Sequence, residues 1–301
     1  MKKFFLLFLA LLTVIILASC EKTYDMNETL EWSIENETLR ISADGSIGTF
    51  CHENLKEGYC DYIDAPWKNE VFDTVILEDN ITYISEHAFY ECEQLERVII
   101  LGENVTVGHS AFAYCKNLTE VENSDRIICI EEGAFKDCEA LGGITFGNAL
   151  TKIEEVAFDG CISLKEIYIP ASVSELSMTQ NIHMGGNSFM DCTALESIVV
   201  DEGNTTYASR DGVLYTANMK TLLFYPLGKQ DTDFTPPPEV EKIASYAFMR
   251  QKLLKTVNLE SQNITDIGYE AFLFCDTTLI CKENSIAYTY AQKNNIPFEL
   301  R

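Results

Sequence analysis

Seven short stretches of the chain share one pattern: AFYECEQL from Ala88, AFAYCKNL from Ala111, AFKDCEAL from Ala134, AFDGCISL from Ala157 and SFMDCTAL from Ser188, with AFMRQKLL from Ala247 and AFLFCDTT from Ala271 as altered copies. Their phenylalanines stand at 89, 112, 135, 158, 189, 248 and 272, and the first four are separated by steps of 23. Fixed self-similarity at a period of roughly 20 to 50 residues marks stacked repeats, in which one unit cannot bury its apolar side alone.

Alignment on phenylalanine exposes the rest of the unit. An apolar residue lies five positions before it (Ile84, Val107, Ile130, Ile153, Ile243, Ile267). Another pair lies nine and eleven after it (Val98 and Ile100, Ile144 and Phe146, Ile167 and Ile169, Ile198 and Val200, Val257 and Leu259). Positions i and i+2 share one face of a strand, whereas Phe and Cys at i and i+3 share one face of a helical turn. The spacing therefore predicts an α/β repeat solenoid, with a parallel sheet on one face and short helical or irregular turns opposite. The Phe, Cys and Leu form interior rungs, and cysteine suits the narrow position as a small hydrophobe.

The consensus, roughly LxxIxIPxxVxxIxxxAFxxCxxL and clearest in LKEIYIPASVSEL (Leu164 to Leu176), resembles the BspA-like leucine-rich repeat family of bacterial and protist surface proteins. YASRDGVLYTANMKTLLFYPLGK (Tyr207 to Lys229) is similar to that family's hairpin-like variant unit, and APW at 65 to 67 to its N-terminal cap. The resemblance implies a leucine-rich fold and adhesion to host matrix or plasma proteins, or to other bacteria.

The N-terminus suggests an address. Lys2 and Lys3 precede an apolar run of 15 residues, FFLLFLALLTVIILA, short for a membrane span of about 20. It reads as a signal peptide, and LASC (Leu17 to Cys20) resembles the lipobox of bacterial lipoproteins, whose cysteine is lipidated. The expected organisation is signal peptide 1–19, tether 20–29, N-terminal β cap 30–68, solenoid 69–281 with the variant unit at about 201–238, and C-terminal cap 282–301. The expected placement is the outer membrane, lipid-anchored through Cys20 and facing outwards. A net charge of −25 repels phosphate backbones and argues against nucleic acid.

Eleven cysteines in an exported chain ordinarily suggest disulfides. In the ladder Cys92, Cys115, Cys138, Cys161 and Cys192, however, neighbouring Cα to Cβ vectors run parallel, which favours free buried thiols. Cys51 and Cys60 stand outside the ladder, where a bridge and two free thiols are equally compatible with the sequence; Cys275 and Cys281 are a further candidate pair. His52, His87, His109 and His183 form no ligand or catalytic motif and read as solvated loop residues. No cofactor, metal site or enzymatic cluster is expected. Function is instead expected on the outward positions of the parallel strands: Arg97, Ile99, Glu120, Glu122, Thr145, Glu166, Tyr168, Val199 and Asn258, with Arg97, Glu166 and Tyr168 as a contact cluster. The partner is an extracellular protein. A glycan stacked on Tyr207, Tyr215 or Tyr225 of the variant unit is the alternative.

Overall fold

A computed structural model describes residues 28–48, 64–178, 187–260 and 263–301, together with the backbone of the strands Cys51–Asn54 and Tyr59–Tyr62. The expected signal peptide at 1–19, Cys20, His183 and most of the loop between Ser177 and Asn187 lie outside the described residues, as do the side chains of Cys51, His52 and Cys60.

The repeats coil into a β-solenoid. Thr74–Leu77, Arg97–Ile100 and Glu120–Glu122 pair in parallel, each 23 residues after the last, as in Val75 with Val98 and Val98 with Val121. A second parallel sheet runs through Ile81–Ile84, Val105–Val107, Ile127–Ile130, Lys152–Ile153 and Glu175–Leu176. Alternate residues of each first-sheet strand are buried, as period-two side-chain alternation requires. At the N-terminal end the antiparallel hairpin Glu31–Glu35 and Thr38–Ser42 joins this sheet through Thr38–Ser42. Trp67, fully buried, stacks on Phe89 and donates its indole N–H to the Ala88 carbonyl at 2.9 Å.

The phenylalanines form a column. Phe89, Phe112, Phe135 and Phe158 are fully buried, with successive ring centroids 5.1, 5.4 and 5.4 Å apart and planes within 8° of parallel. Burial of each ring contributes about 2 kcal/mol, and each offset stack adds about 0.5 to 1.5 kcal/mol.

The corner carrying each phenylalanine is not helical, which corrects the α/β description. Among the described residues the sole α-helix is Ile286–Lys293, capped by the Ser285 hydroxyl, which accepts the Tyr288 N–H. In the corners, alternate backbone N–H groups bond to the next coil, and those between them to the carbonyl three residues back in their own coil, rather than to residue i−4. Phe89 N–H donates to Ala111, Phe112 to Ala134 and Phe135 to Ala157, each at 2.8 Å. Two residues per coil turn left-handed to aim those groups along the stack, at positions two before and two after phenylalanine: His87 and Glu91, Ser110 and Tyr114, Gly133 and Asp137, Val156 and Gly160. Glycine adopts such a φ without steric cost, while other residues are strained there.

The variant unit is an antiparallel meander of Tyr207–Arg210, Val213–Thr216 and Thr221–Phe224 that divides the interior. Leu214 and Phe224 pack into the N-terminal core, and Val213, Tyr215, Leu222 and Tyr225 into the C-terminal one. Beyond it the column resumes with Tyr225, Phe248 and Phe272.

Candidate partner-binding face

The outward strand positions fall on three separate sheets. Arg97, Ile99, Glu120 and Glu122 lie on the first, Glu166, Tyr168 and Val199 on the pair Glu166–Ile169 and Ser197–Val200, and Asn258 on the last, in Thr256–Asn258. Thr145 is exposed on the rung between the first two, which forms no strand. Arg97 bridges Glu120, at 3.3 Å, and Glu122 across the ladder, an exposed arrangement that contributes little stability. Tyr168 donates its hydroxyl to Asp201. That hydrogen bond, with the Gly203 N–H, holds the Asp201 carboxyl below the usual carboxylate range. Arg97 stands three rungs from Glu166, about 14 Å at the usual strand spacing, so the structure does not gather Arg97, Glu166 and Tyr168 into one cluster.

The break between the sheets starts at one residue. Position eleven after phenylalanine is apolar in the neighbouring coils (Ile100, Phe146) but is Asn123 here. Asn123 turns left-handed at φ 57°, ends the strand at Glu122, and donates its side-chain amide to the Ile100 carbonyl at 2.9 Å. A 3-10 turn, Ser124–Arg126, follows, and its buried Ser124 hydroxyl donates to the Thr145 carbonyl at 2.8 Å. Gly147 packs so closely on the Asp125 carbonyl that a Cβ there would lie 2.4 Å from its oxygen. The turn interrupts the strand pairing between the two coils while keeping them in contact. The resulting cleft of about 740 Å³ opens on the strand face, with Val121 and Ile144 as its floor and Glu120, Asp125 and Thr145 at its rim. The sequence spacing identified Glu120 and Thr145 but passed over Asn123, Ser124 and Asp125; the polar residue at an interior position was the available signal.

The aromatic residues of the glycan alternative are turned inwards. Tyr215 and Tyr225 are buried, which pushes both phenols upwards, and the Tyr207 hydroxyl accepts the Leu176 N–H at 3.0 Å. His87 is not solvated: it is 5 % exposed and packs against His109, ring centroids 5.2 Å apart. The eight described cysteines are free, and among the described residues no group of three or more His, Cys, Asp or Glu is placed to hold a metal ion.

A family model described as the BspA type leucine-rich repeat region matches residues 66–181 and 223–294, in six copies. The chain is similar in structure to a leucine-rich repeat protein from Eubacterium ventriosum, with a TM-score of 0.66 and 24 % identity over 87 % of this chain and 72 % of that one. It is also similar to a leucine-rich cell surface protein from Faecalibacterium prausnitzii, with a TM-score of 0.54 and 24 % identity over 87 % of this chain and 77 % of that one. No curated protein matches it.

Proposed function

The chain belongs to the BspA-type leucine-rich repeat family, and on that premise we propose that it is a non-enzymatic, lipid-anchored surface protein that binds an extracellular protein through its strand face. The observation that carries this reading is the open cleft of about 740 Å³ on that face. A broad sheet surface suits a macromolecule, and the cleft combines an apolar floor with a polar rim, the usual anatomy of an interface centre. The anchor is Cys20, on the strength of the basic and apolar leader that precedes it; two or more acyl chains hold a protein on a membrane stably. Residues 30–68 and 282–301 serve as caps, supported by Trp67 stacked on Phe89 and by the helix Ile286–Lys293 against the last coil.

The test is binding of the mature chain to immobilised matrix and plasma proteins, with and without alanine at Arg97, Glu120 and Tyr168. Unchanged binding by the triple variant removes the face. Palmitate labelling that persists in Cys20→Ser removes the anchor, and resistance to protease on intact cells removes outward placement.

A further inference from the structure

The corners aim backbone N–H groups along the stack from phenylalanine and from the left-handed residues two before and two after it. Tyr246, Phe248 and Arg250 donate in this way to the carbonyls of Tyr269, Ala271 and Leu273, at 3.2, 2.8 and 2.8 Å. In the next coil the equivalent donors are Glu270, Phe272 and Phe274, and Glu270 and Phe274 are again left-handed, at φ 49° and 59°. Beyond them stands the helix Ile286–Lys293. Its Tyr290 hydroxyl faces the Phe272 N–H, and the two rings meet with centroids 6.2 Å apart. Among the described residues the N–H groups of Glu270 and Phe274 have no acceptor. At the other end of the solenoid, by contrast, Trp67 Nε1 and the Lys68 ammonium donate to the Ala88 and Tyr90 carbonyls of the first phenylalanine coil. A backbone N–H is a strong donor that calls for a partner.

Glu270 and Phe274 border a cavity of about 260 Å³ between this corner and the end of the helix. Phe272, Ile296 and Pro297 give it an apolar wall, the exposed Asn294 and Asn295 a polar rim, and Phe274, 62 % exposed, an aromatic lip. The Tyr269 hydroxyl donates to the Glu270 carboxylate, whose Oε2 is buried and has no hydrogen-bond partner among the described residues. The cavity thus combines N–H donors, a carboxylate acceptor and apolar surface. An acetamido group meets all three, with its carbonyl oxygen, its N–H and its methyl. An anion is disfavoured by Glu270 and by the net charge of −25. Acetamido groups are carried by amino sugars and by acetylated lysine, and the rim favours the sugar. The C–H face of a pyranose ring covers the negative face of an exposed aromatic ring, and asparagine amides exchange hydrogen bonds with hydroxyls. A volume just below the roughly 300 to 1,000 Å³ of small-molecule sites suits one terminal sugar. We propose that this C-terminal cavity binds a terminal N-acetylated amino sugar through its acetamido group. The site is separate from the strand face and does not depend on it.

The probe is tri-N-acetylchitotriose, titrated into the mature chain and followed by amide NMR shifts, beside maltotriose and beside acetyl-lysine amide. Saturable binding is expected, with shifts at the Glu270 and Phe274 amides. Maltotriose, which lacks the acetamido group, should bind at least roughly tenfold more weakly. Phe274→Ala, a change at an exposed ring, should weaken the trisaccharide roughly threefold to tenfold, and Glu270→Gln should do the same by removing the charged acceptor; thermal melts establish that both variants are folded. Alanine at Arg97, Glu120 and Tyr168 should leave this binding unchanged. No saturable binding of the trisaccharide, equal binding of maltotriose, undiminished binding by both folded variants, or tighter binding of acetyl-lysine amide overturns the proposal.

Discussion

The Cys138 thiol donates to the Phe112 carbonyl of the preceding coil, at 3.2 Å, while that same carbonyl accepts the N–H of Cys115 in its own coil. The bond recurs from Cys115 to Phe89, Cys161 to Phe135 and Cys192 to Phe158, at 3.0 to 3.2 Å. The cysteines are thus hydrogen-bond donors as well as small apolar fillers. Where Gln251 replaces the cysteine, its amide donates to the Pro226 carbonyl at 3.0 Å and its oxygen accepts the Leu253 N–H at 2.8 Å. Cys138→Ala should therefore cost about 1 to 3 kcal/mol, combining a small cavity with a lost bond, measured by urea denaturation.

Thiol chemistry should be slow. Burial pushes the thiols of Cys115, Cys138, Cys161 and Cys192 well above their ordinary value, and Cys129, half-exposed, is pushed up to about 11 by burial and by Glu131 and Glu154. At neutral pH the thiolate, the reactive form, is scarce at all five. A disulfide-exchange reagent should label Cys129 slowly in the folded chain and the four buried ladder thiols only at a rate set by unfolding. Fast labelling of the folded chain at these positions contradicts the ladder.

Close stacking makes two glycines unequal. A Cβ on Gly268 would stand 2.3 Å from the Ser245 nitrogen in the coil before it, backbone that cannot swing aside, whereas one on Gly143 meets nothing within 4 Å. Gly268→Ala should destabilise by more than about 2 kcal/mol, and Gly143→Ala should stay within about 0.5 kcal/mol. Paired thermal melts check the contrast.

His87 gives the fold an acid sensitivity. Burial first, and then the neighbouring His109, lower it to about 4 from an ordinary 6.5. Between those values the unfolded chain binds the extra proton and the folded chain does not, so stability falls as pH is lowered from about 6.5 to 4. Asp137 and Asp159 are raised by burial and act with the opposite sign, so the measurement is the difference between the wild type and His87→Asn. Asparagine tolerates the left-handed backbone at this position, φ 58°. The variant should lose less stability than the wild type between about pH 7 and pH 5; an equal loss in both excludes His87 as the cause.

The column of Phe89, Phe112 and Phe135 was legible because a repeat prints the same apolar choice at the same offset. The corners were not, since i and i+3 spacing is shared by a helical turn and by a corner whose N–H groups bond to a coil 23 residues away. Nothing local distinguishes them. His87 misled for a related reason: its equivalents are Ser110, Gly133 and Val156, a set with no common chemistry because the position is chosen by backbone angle and not by side chain. Asn123 was legible in principle, as one polar residue in an apolar register, but its effect appears only when the next coil fails to pair.

The meander that sends Leu214 and Phe224 one way and Val213, Tyr215, Leu222 and Tyr225 the other behaves as a bulkhead. Damage that floods one compartment stops there, so a lesion near Phe272 should leave the Phe89 to Phe158 half watertight. Pulled from its ends, the chain should come apart on one side of Phe224 before the other, giving two force drops instead of one.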